Sequence, residues 1–176
     1  MNKIINIAVI GLGQVGIYLL NELNTKKKDI ELKTGKKINV VAVSARNINK
    51  KRQFKVDKKL FYKNPLDILK KHQVDILFEA IGQSDGVSKK IVEAALKNGT
   101  HVITPNKALI SKHGNDLSKL AEKNNVNLEF EASVAGGIPV LRAIKEGLAT
   151  NKISKVYGIL NGTSNYILSE MENSNK

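Results

Sequence analysis

Apolar residues fill positions 4–10 almost without interruption, the pattern of a strand buried on both faces of a parallel sheet. Over 14–23 the period changes, and Val15, Leu19, Leu20 and Leu23 fall on one face of a helix. Residues 26–37 are charged and broken at Gly35, which reads as helix end and loop. A second strand is expected at 39–44, and 46–59 shows no clear periodicity. A short helix is expected at 65–71, with Pro65 near its first turn. Strands at 75–80, 101–104 and 127–131 then alternate with helices at 87–98 and 111–124. Ser84 or Asp85 is the expected cap of the first of these helices, and Gly99 its stop.

Strands alternating with helices imply parallel βαβ units and a doubly wound α/β sheet. From Ala132 the rhythm changes. A glycine turn at 135–139 leads into an amphipathic helix carrying Leu141, Ile144 and Leu148. A strand-like stretch at 155–160, a turn at 161–163 and an apolar helix from Asn165 follow. The expected organisation is a mostly parallel sheet domain over 1–131 and the beginning of an α+β domain over 132–176.

Composition narrows the classes. With 176 residues the chain can bury one real core. No apolar run approaches the roughly 18–20 residues of a membrane span, and the start carries no small-residue cleavage pattern. The absence of cysteine excludes disulfides, zinc–thiolate sites and thiol nucleophiles. These features point to a cytoplasmic protein without a membrane partner. The 29 Lys and Arg against 16 Asp and Glu give a net charge of +13, which invites a nucleic-acid partner. Against that, Arg46, Arg52 and Arg142 are the only arginines, and base recognition favours arginine. The lysines spread over the whole chain, with one denser stretch at 50–59. The charge is read as lysine-coated surface with no nucleic-acid partner, and its field favours anionic small molecules.

Gly11-Leu12-Gly13-Gln14-Val15-Gly16 is a G-x-G-x-x-G motif between the first strand and the first helix, the context in which it binds a dinucleotide. Gly11 permits the tight turn, Gly13 lets the backbone approach a pyrophosphate, and Gly16 lets helix pack on strand. Gln14 and Val15 open the helix whose free N–H groups would face the phosphates. The sheet is therefore expected to be Rossmann-type. The second strand ends Val43-Ser44-Ala45-Arg46, without the acid that usually holds an NAD ribose. Ser44 and Arg46 suit a 2′-phosphate, so NADP is favoured, with NAD an alternative. Among residues after later strand ends, Gly82, Ser84 and Lys107 are expected at the cofactor. His72, His101 and His113 lack metal-ligand spacing.

Four segments together resemble the N-terminal part of homoserine dehydrogenase. They are the glycine motif at 11–16, Thr-Pro-Asn-Lys-Ala-Leu at 104–109, Glu-Ala-Ser-Val-Ala-Gly-Gly-Ile-Pro at 131–139, and Gly-Ile-Leu-Asn-Gly-Thr-Ser-Asn-Tyr-Ile-Leu at 158–168. The resemblance implies NAD(P)-dependent interconversion of L-homoserine and L-aspartate 4-semialdehyde, on the route to threonine and methionine. It implies that Lys107 is the catalytic lysine beside nicotinamide and substrate. It also implies a monovalent cation, usually sodium, held by Glu131, Val134, Gly136 and Ile138 mainly through backbone oxygens. Asn161, Gly162 and Thr163 match the turn at the edge of the substrate pocket. The 132–176 segment is then the start of a substrate and dimerisation domain, and the complete protein is expected to be a homodimer. The family's acidic substrate clamp and second lysine have no counterpart in this chain. A truncated form, inactive alone, is therefore expected. The competing reading is a non-catalytic dinucleotide-binding or redox-sensing module.

Overall fold

The computed structural model describes residues 4–158 and 161–174. Six strands form one sheet: β1 (Ile4–Ile10), β2 (Lys37–Ser44), β3 (Phe61–Tyr62), β4 (Ile76–Glu79), β5 (His101–Ile103) and β6 (Leu128–Glu129). Their order is β3-β2-β1-β4-β5-β6, and every neighbouring pair is parallel. The chain winds outward from β1 to one edge, returns beside β1 as β4, and winds to the other edge. That is the doubly wound order, with its switch point between β1 and β4.

Alternation along β1 explains its central place. Ala8 and Ile10 join one core with Ile68, Ile91 and Leu117, while Ile7 and Val9 join a second with Ile17 and Leu20. The first core is roofed by α3 (Leu66–Lys71), α4 (Val87–Lys97) and α5 (Lys107–Lys123), and the second by α1 (Gln14–Thr25). A strand with both faces buried must be apolar at every position, as 7–10 is. Each fully buried Ile, Leu or Val contributes about 1.5–3 kcal/mol.

Several expectations are corrected. Residues 27–34 form a helix, α2 (Lys27–Thr34), closed by Gly35 at φ 68°. It buries no residue, so no periodicity announces it. The 46–59 region leads into the edge strand β3, whose two residues are too short for a pattern. Neither Ser84 nor Asp85 caps α4; Gly86 does, at φ 68° and without a side-chain bond. Ser84 instead donates to the Asp85 carboxylate at 2.7 Å. Helix α5 starts four residues earlier than expected, at Lys107, because the Asn106 side chain accepts the Leu109 N–H.

Strand β6 stops at Glu129, and Glu131 opens the short helix α6 (Glu131–Val134). The expected amphipathic helix is α7 (Val140–Arg142) continued by a π-type turn at Ala143–Gly147. Residues 155–158 are exposed and form no strand; 159 and 160 lie outside the described residues. The last helix, α8 (Gly162–Asn173), starts at Gly162, so Asn161, Gly162 and Thr163 are its cap and first turn. Among the described residues, no helix is long and apolar enough to cross a membrane.

Candidate functional site

The site lies at the carboxyl ends of β1, β2 and β4. Register aligns Ile10 with Ser44 on one side and with Glu79 on the other. The Gly11 N–H donates to the Ser44 carbonyl at 2.8 Å, and the Ala80 N–H to the Ile10 carbonyl at 2.7 Å. Three strand ends are thereby held level, and the chain turns into α1 directly above them.

The three glycines of the turn serve different ends. Gly11 has φ 93°, and a Cβ there would lie 2.5 Å from the Ala80 carbonyl oxygen. A Cβ on Gly16 would lie 1.9 Å from the Gly11 oxygen. A Cβ on Gly13 would meet nothing within 4 Å. Gly11 and Gly16 are thus required by the protein's own backbone, whereas Gly13 faces open space that a ligand could occupy. Gly13 is also the cap of α1 and offers no side chain, and the first turn of α1 has no acid. By contrast α5 and α8 are capped by Asn106 and Asn161. The positive end of α1 is left for an external anion.

A cleft of about 600 Å³ opens here, bordered by Gly11, Gly13, Ser44, Arg46, Ile81 and Gln83 among others. Lys50, Arg52 and Lys63 also line it, and no Asp or Glu does. Lys50 and Arg52 escaped the sequence reading because they sit in a stretch without periodicity, and Lys63 because it follows the two-residue strand β3. Arg52 builds the loop as well: its guanidinium donates to the carbonyls of Asn47, Ile48 and Lys50 at 2.6, 3.2 and 3.0 Å. Ser44 is almost fully buried at the cleft wall, whereas Arg46 is exposed. Gln14 and Val15 line a second depression of about 770 Å³ along the outer side of α1, shared with Tyr18 and Phe78. Gly82, at φ 84°, belongs to the 80–86 loop, but the residues of that loop on the cleft are Ala80, Ile81 and Gln83.

Lys107 is the first residue of α5 and is exposed. Its backbone is set by a buried network that the sequence did not reveal. The Glu79 carboxylate accepts from the Ile81 N–H at 2.8 Å, the Ser88 hydroxyl at 2.7 Å and the Thr104 hydroxyl at 2.6 Å. The Asn106 amide donates to both its oxygens at 3.3 Å, to Ser88 Oγ at 3.0 Å and to the Gln83 carbonyl at 2.9 Å. The Asn106 N–H donates to Thr104 Oγ1 at 3.1 Å. An acid closing an otherwise apolar strand, and an Asn opening a helix, were the available signals.

The 131–138 segment forms a tight loop. Both Glu131 carboxylate oxygens accept backbone N–H groups, from Leu141 and Arg142, each at 2.8 Å. Gly136 has φ 63°, and the Ala135 carbonyl accepts the Ile138 N–H at 3.1 Å. Among the described residues, no backbone N–H is directed to the carbonyls of Val134 or Gly136. Asn161 caps α8 through the Ser164 N–H at 3.1 Å, and all of 161–174 is exposed.

A parallel sheet of this order, a glycine turn at its switch point and an uncapped helix end define a nicotinamide-dinucleotide-binding domain. The family model described as homoserine dehydrogenase, NAD binding domain, matches residues 11–131, and that described as homoserine dehydrogenase matches 139–176. The chain belongs to the homoserine dehydrogenase family. It is 41% identical to a homoserine dehydrogenase of Neisseria gonorrhoeae over 96% of this chain and 38% of that protein. It is 34% identical to one of Bacillus subtilis over 96% of this chain and 39% of that protein. A crystal structure of a homoserine dehydrogenase from Thiobacillus denitrificans superposes with a TM-score of 0.82 at 39% identity, covering 97% of this chain and 39% of that one. The chain thus spans roughly two fifths of the length of these relatives.

Proposed function

We propose that this chain supplies the cofactor half of an NADP-dependent homoserine dehydrogenase interconverting L-homoserine and L-aspartate 4-semialdehyde. The observation that carries the cofactor choice is the end of β2, where Arg46 stands with Lys50, Arg52 and Lys63 and no carboxylate. A 2′-phosphate suits that field, and a carboxylate for a bare ribose is missing. The N–H groups at the start of α1 would take the pyrophosphate, with Gly13 giving it room. When bound, the dinucleotide accepts or delivers the hydride. Lys107, the first residue of α5, would hold the substrate oxygen and move its proton in this reading.

The donor set of the 131–138 loop fits a hard monovalent cation. Its available groups are backbone oxygens of Val134 and Gly136, with Glu131 and Ile138 beside them. The Glu131 carboxylate is committed to the head of α7, and the Glu131 and Ile138 carbonyls already accept the Ala135 and Val140 N–H groups at 3.4 and 2.9 Å, so each would contribute through the remaining lone pair of its carbonyl. Residues 1–131 form the dinucleotide domain in this reading. Residues 132–176 open the substrate and dimerisation domain, with Asn161, Gly162 and Thr163 at the pocket edge, in a cytoplasmic homodimer.

Fluorescence titration with NADPH and NADH tests the cofactor assignment, and NADPH should bind more tightly. In a protein that carries the rest of the relatives' length, Lys107→Ala should remove most homoserine turnover and leave NADPH affinity nearly unchanged. A Lys107→Ala variant with full turnover would overturn its assigned role.

A further inference from the structure

Glu79 is fully buried. Among the described residues, no Lys, Arg or His nitrogen lies within 4.0 Å of its carboxylate. A buried carboxylate without a cation is costly, and neutral groups of similar shape often serve a scaffold as well. Everything around Glu79 nevertheless points protons at it. The Asn106 amide feeds the Ser88 hydroxyl, which donates to Oε1; the Asn106 N–H feeds the Thr104 hydroxyl, which donates to Oε2. With the Ile81 N–H, these donors converge on a group required to act as an acceptor only. The arrangement is built to keep a negative charge in place: the heads of α4 and α5 face it, and among the described residues no cationic side chain pairs with it.

Its position shows where a partner would come from. The pyrophosphate belongs at the head of α1, and the adenosine ribose meets the end of β2. The other half of a dinucleotide must therefore cross β1 toward the end of β4. Glu79 is the last residue of β4, and Ala80, Ile81 and Gln83 line the cleft immediately after it. Its Oε1 holds the Ile81 N–H, one hydrogen bond behind the cleft wall.

We propose that Glu79 is a buried negative charge beneath the nicotinamide half of the cleft, which makes the protein bind the oxidised, cationic ring more tightly than the reduced, neutral one. The inference rests on the dinucleotide reading above. A unit charge acting through protein of effective dielectric about 20 changes such a preference by about three- to thirtyfold. A tenfold preference for the oxidised form makes the bound couple about 30 mV more reducing.

The test compares dissociation constants of NADP+ and NADPH, by calorimetry, for the unaltered chain, Glu79→Gln and Ser88→Ala. Adenosine 2′,5′-bisphosphate, which lacks the nicotinamide, serves as the control for an intact fold. Glu79→Gln should shift the ratio toward NADPH by about three- to thirtyfold and leave the bisphosphate affinity unchanged. Ser88→Ala removes one donor and keeps the charge, so its ratio should match that of the unaltered chain. Equal weakening of both redox forms by Glu79→Gln would make the residue a scaffold only and overturn the proposal. If Glu79→Gln does not fold, the salt response of the unaltered chain decides. A ratio constant between about 0.05 and about 0.5 M salt supports a buried source, and one that collapses assigns it to surface charge and overturns it. Failure of the unaltered chain to bind the bisphosphate and both dinucleotides would remove the underlying reading as well. Binding of all three without the Glu79→Gln shift would remove the proposal alone.

Discussion

Gly13 and Gly16 stand three residues apart in one turn, and alanine should act on them in opposite ways. At Gly16 the added methyl carbon would lie 1.9 Å from the Gly11 oxygen, well inside contact distance. Gly11 cannot retreat, because its N–H is bonded to Ser44 at 2.8 Å and its own Cα faces the Ala80 oxygen. Overpacking against a flexible side chain costs about 1–3 kcal/mol. Here both parties are backbone, so Gly16→Ala should cost about 3 kcal/mol or more, lowering Tm by about 6–12 °C. At Gly13 the methyl meets nothing within 4 Å, and φ −74° and ψ −163° are open to any residue. The loss of a better cap and the gain in chain stiffness nearly cancel, leaving stability within about 1 kcal/mol. The methyl would stand where a pyrophosphate must approach, and NADPH affinity should fall about tenfold or more. Thermal unfolding and NADPH titration of both variants are the measurements. Equal destabilisation by the two substitutions, or undiminished affinity in Gly13→Ala, would refute the division of roles.

Arg46→Ala should weaken NADPH binding about ten- to a hundredfold and barely change NADH, as expected for loss of one charge-assisted bond; equal losses by titration would remove Arg46 from the 2′-phosphate. Asn106→Ala removes the cap of α5 and the amide that bridges Glu79, Ser88 and Gln83, and should cost about 2–4 kcal/mol in urea unfolding. Asn161→Ala, at an exposed cap, should cost about 1 kcal/mol or less. Lys112, with the Ser84 hydroxyl and His113, holds the Asp85 carboxyl well below the usual carboxylate range. Because the folded value is depressed, the stabilisation is present at neutral pH and is lost only as pH falls below the ordinary value of 3.8. NMR titration should therefore show Asp85 ionised when other aspartates are protonated, and Asp85→Asn should remove that part of the acid response.

Legibility in the sequence followed burial and range. Strand β1 and helix α1 were readable because a continuous apolar run meets a glycine motif whose meaning is local. Strand β3 was not, since Phe61 and Tyr62 form two rungs at a sheet edge. Helix α2 was not, since only Ile30 leans on the core, no residue of it is fully buried, and it ends on the left-handed Gly35. The glycines and Arg46 of the site could be named from spacing. Lys50, Arg52 and Lys63 could not, because a loop without periodicity carries the first two to the cleft and the two-residue edge strand β3 carries the third. The Glu79 network joins residues 79, 88, 104 and 106 across two βα turns, and only the fold makes them neighbours.

The central strand β1 is made before the other strands of its sheet. Ile4 pairs with Lys37 and Ile7 with Ile76, so the earliest strand waits for partners on both sides until residue 79 exists. At about 5–20 residues per second, synthesis leaves the Ile7–Ile10 stretch without its second neighbour for roughly 3–14 s. During that interval an apolar segment of high strand propensity has two open edges until β2 is made at residue 44, and one until β4 is made. Translation speed therefore enters the yield of this protein: slower synthesis across 45–75 lengthens the window in which β1 can pair with another nascent chain.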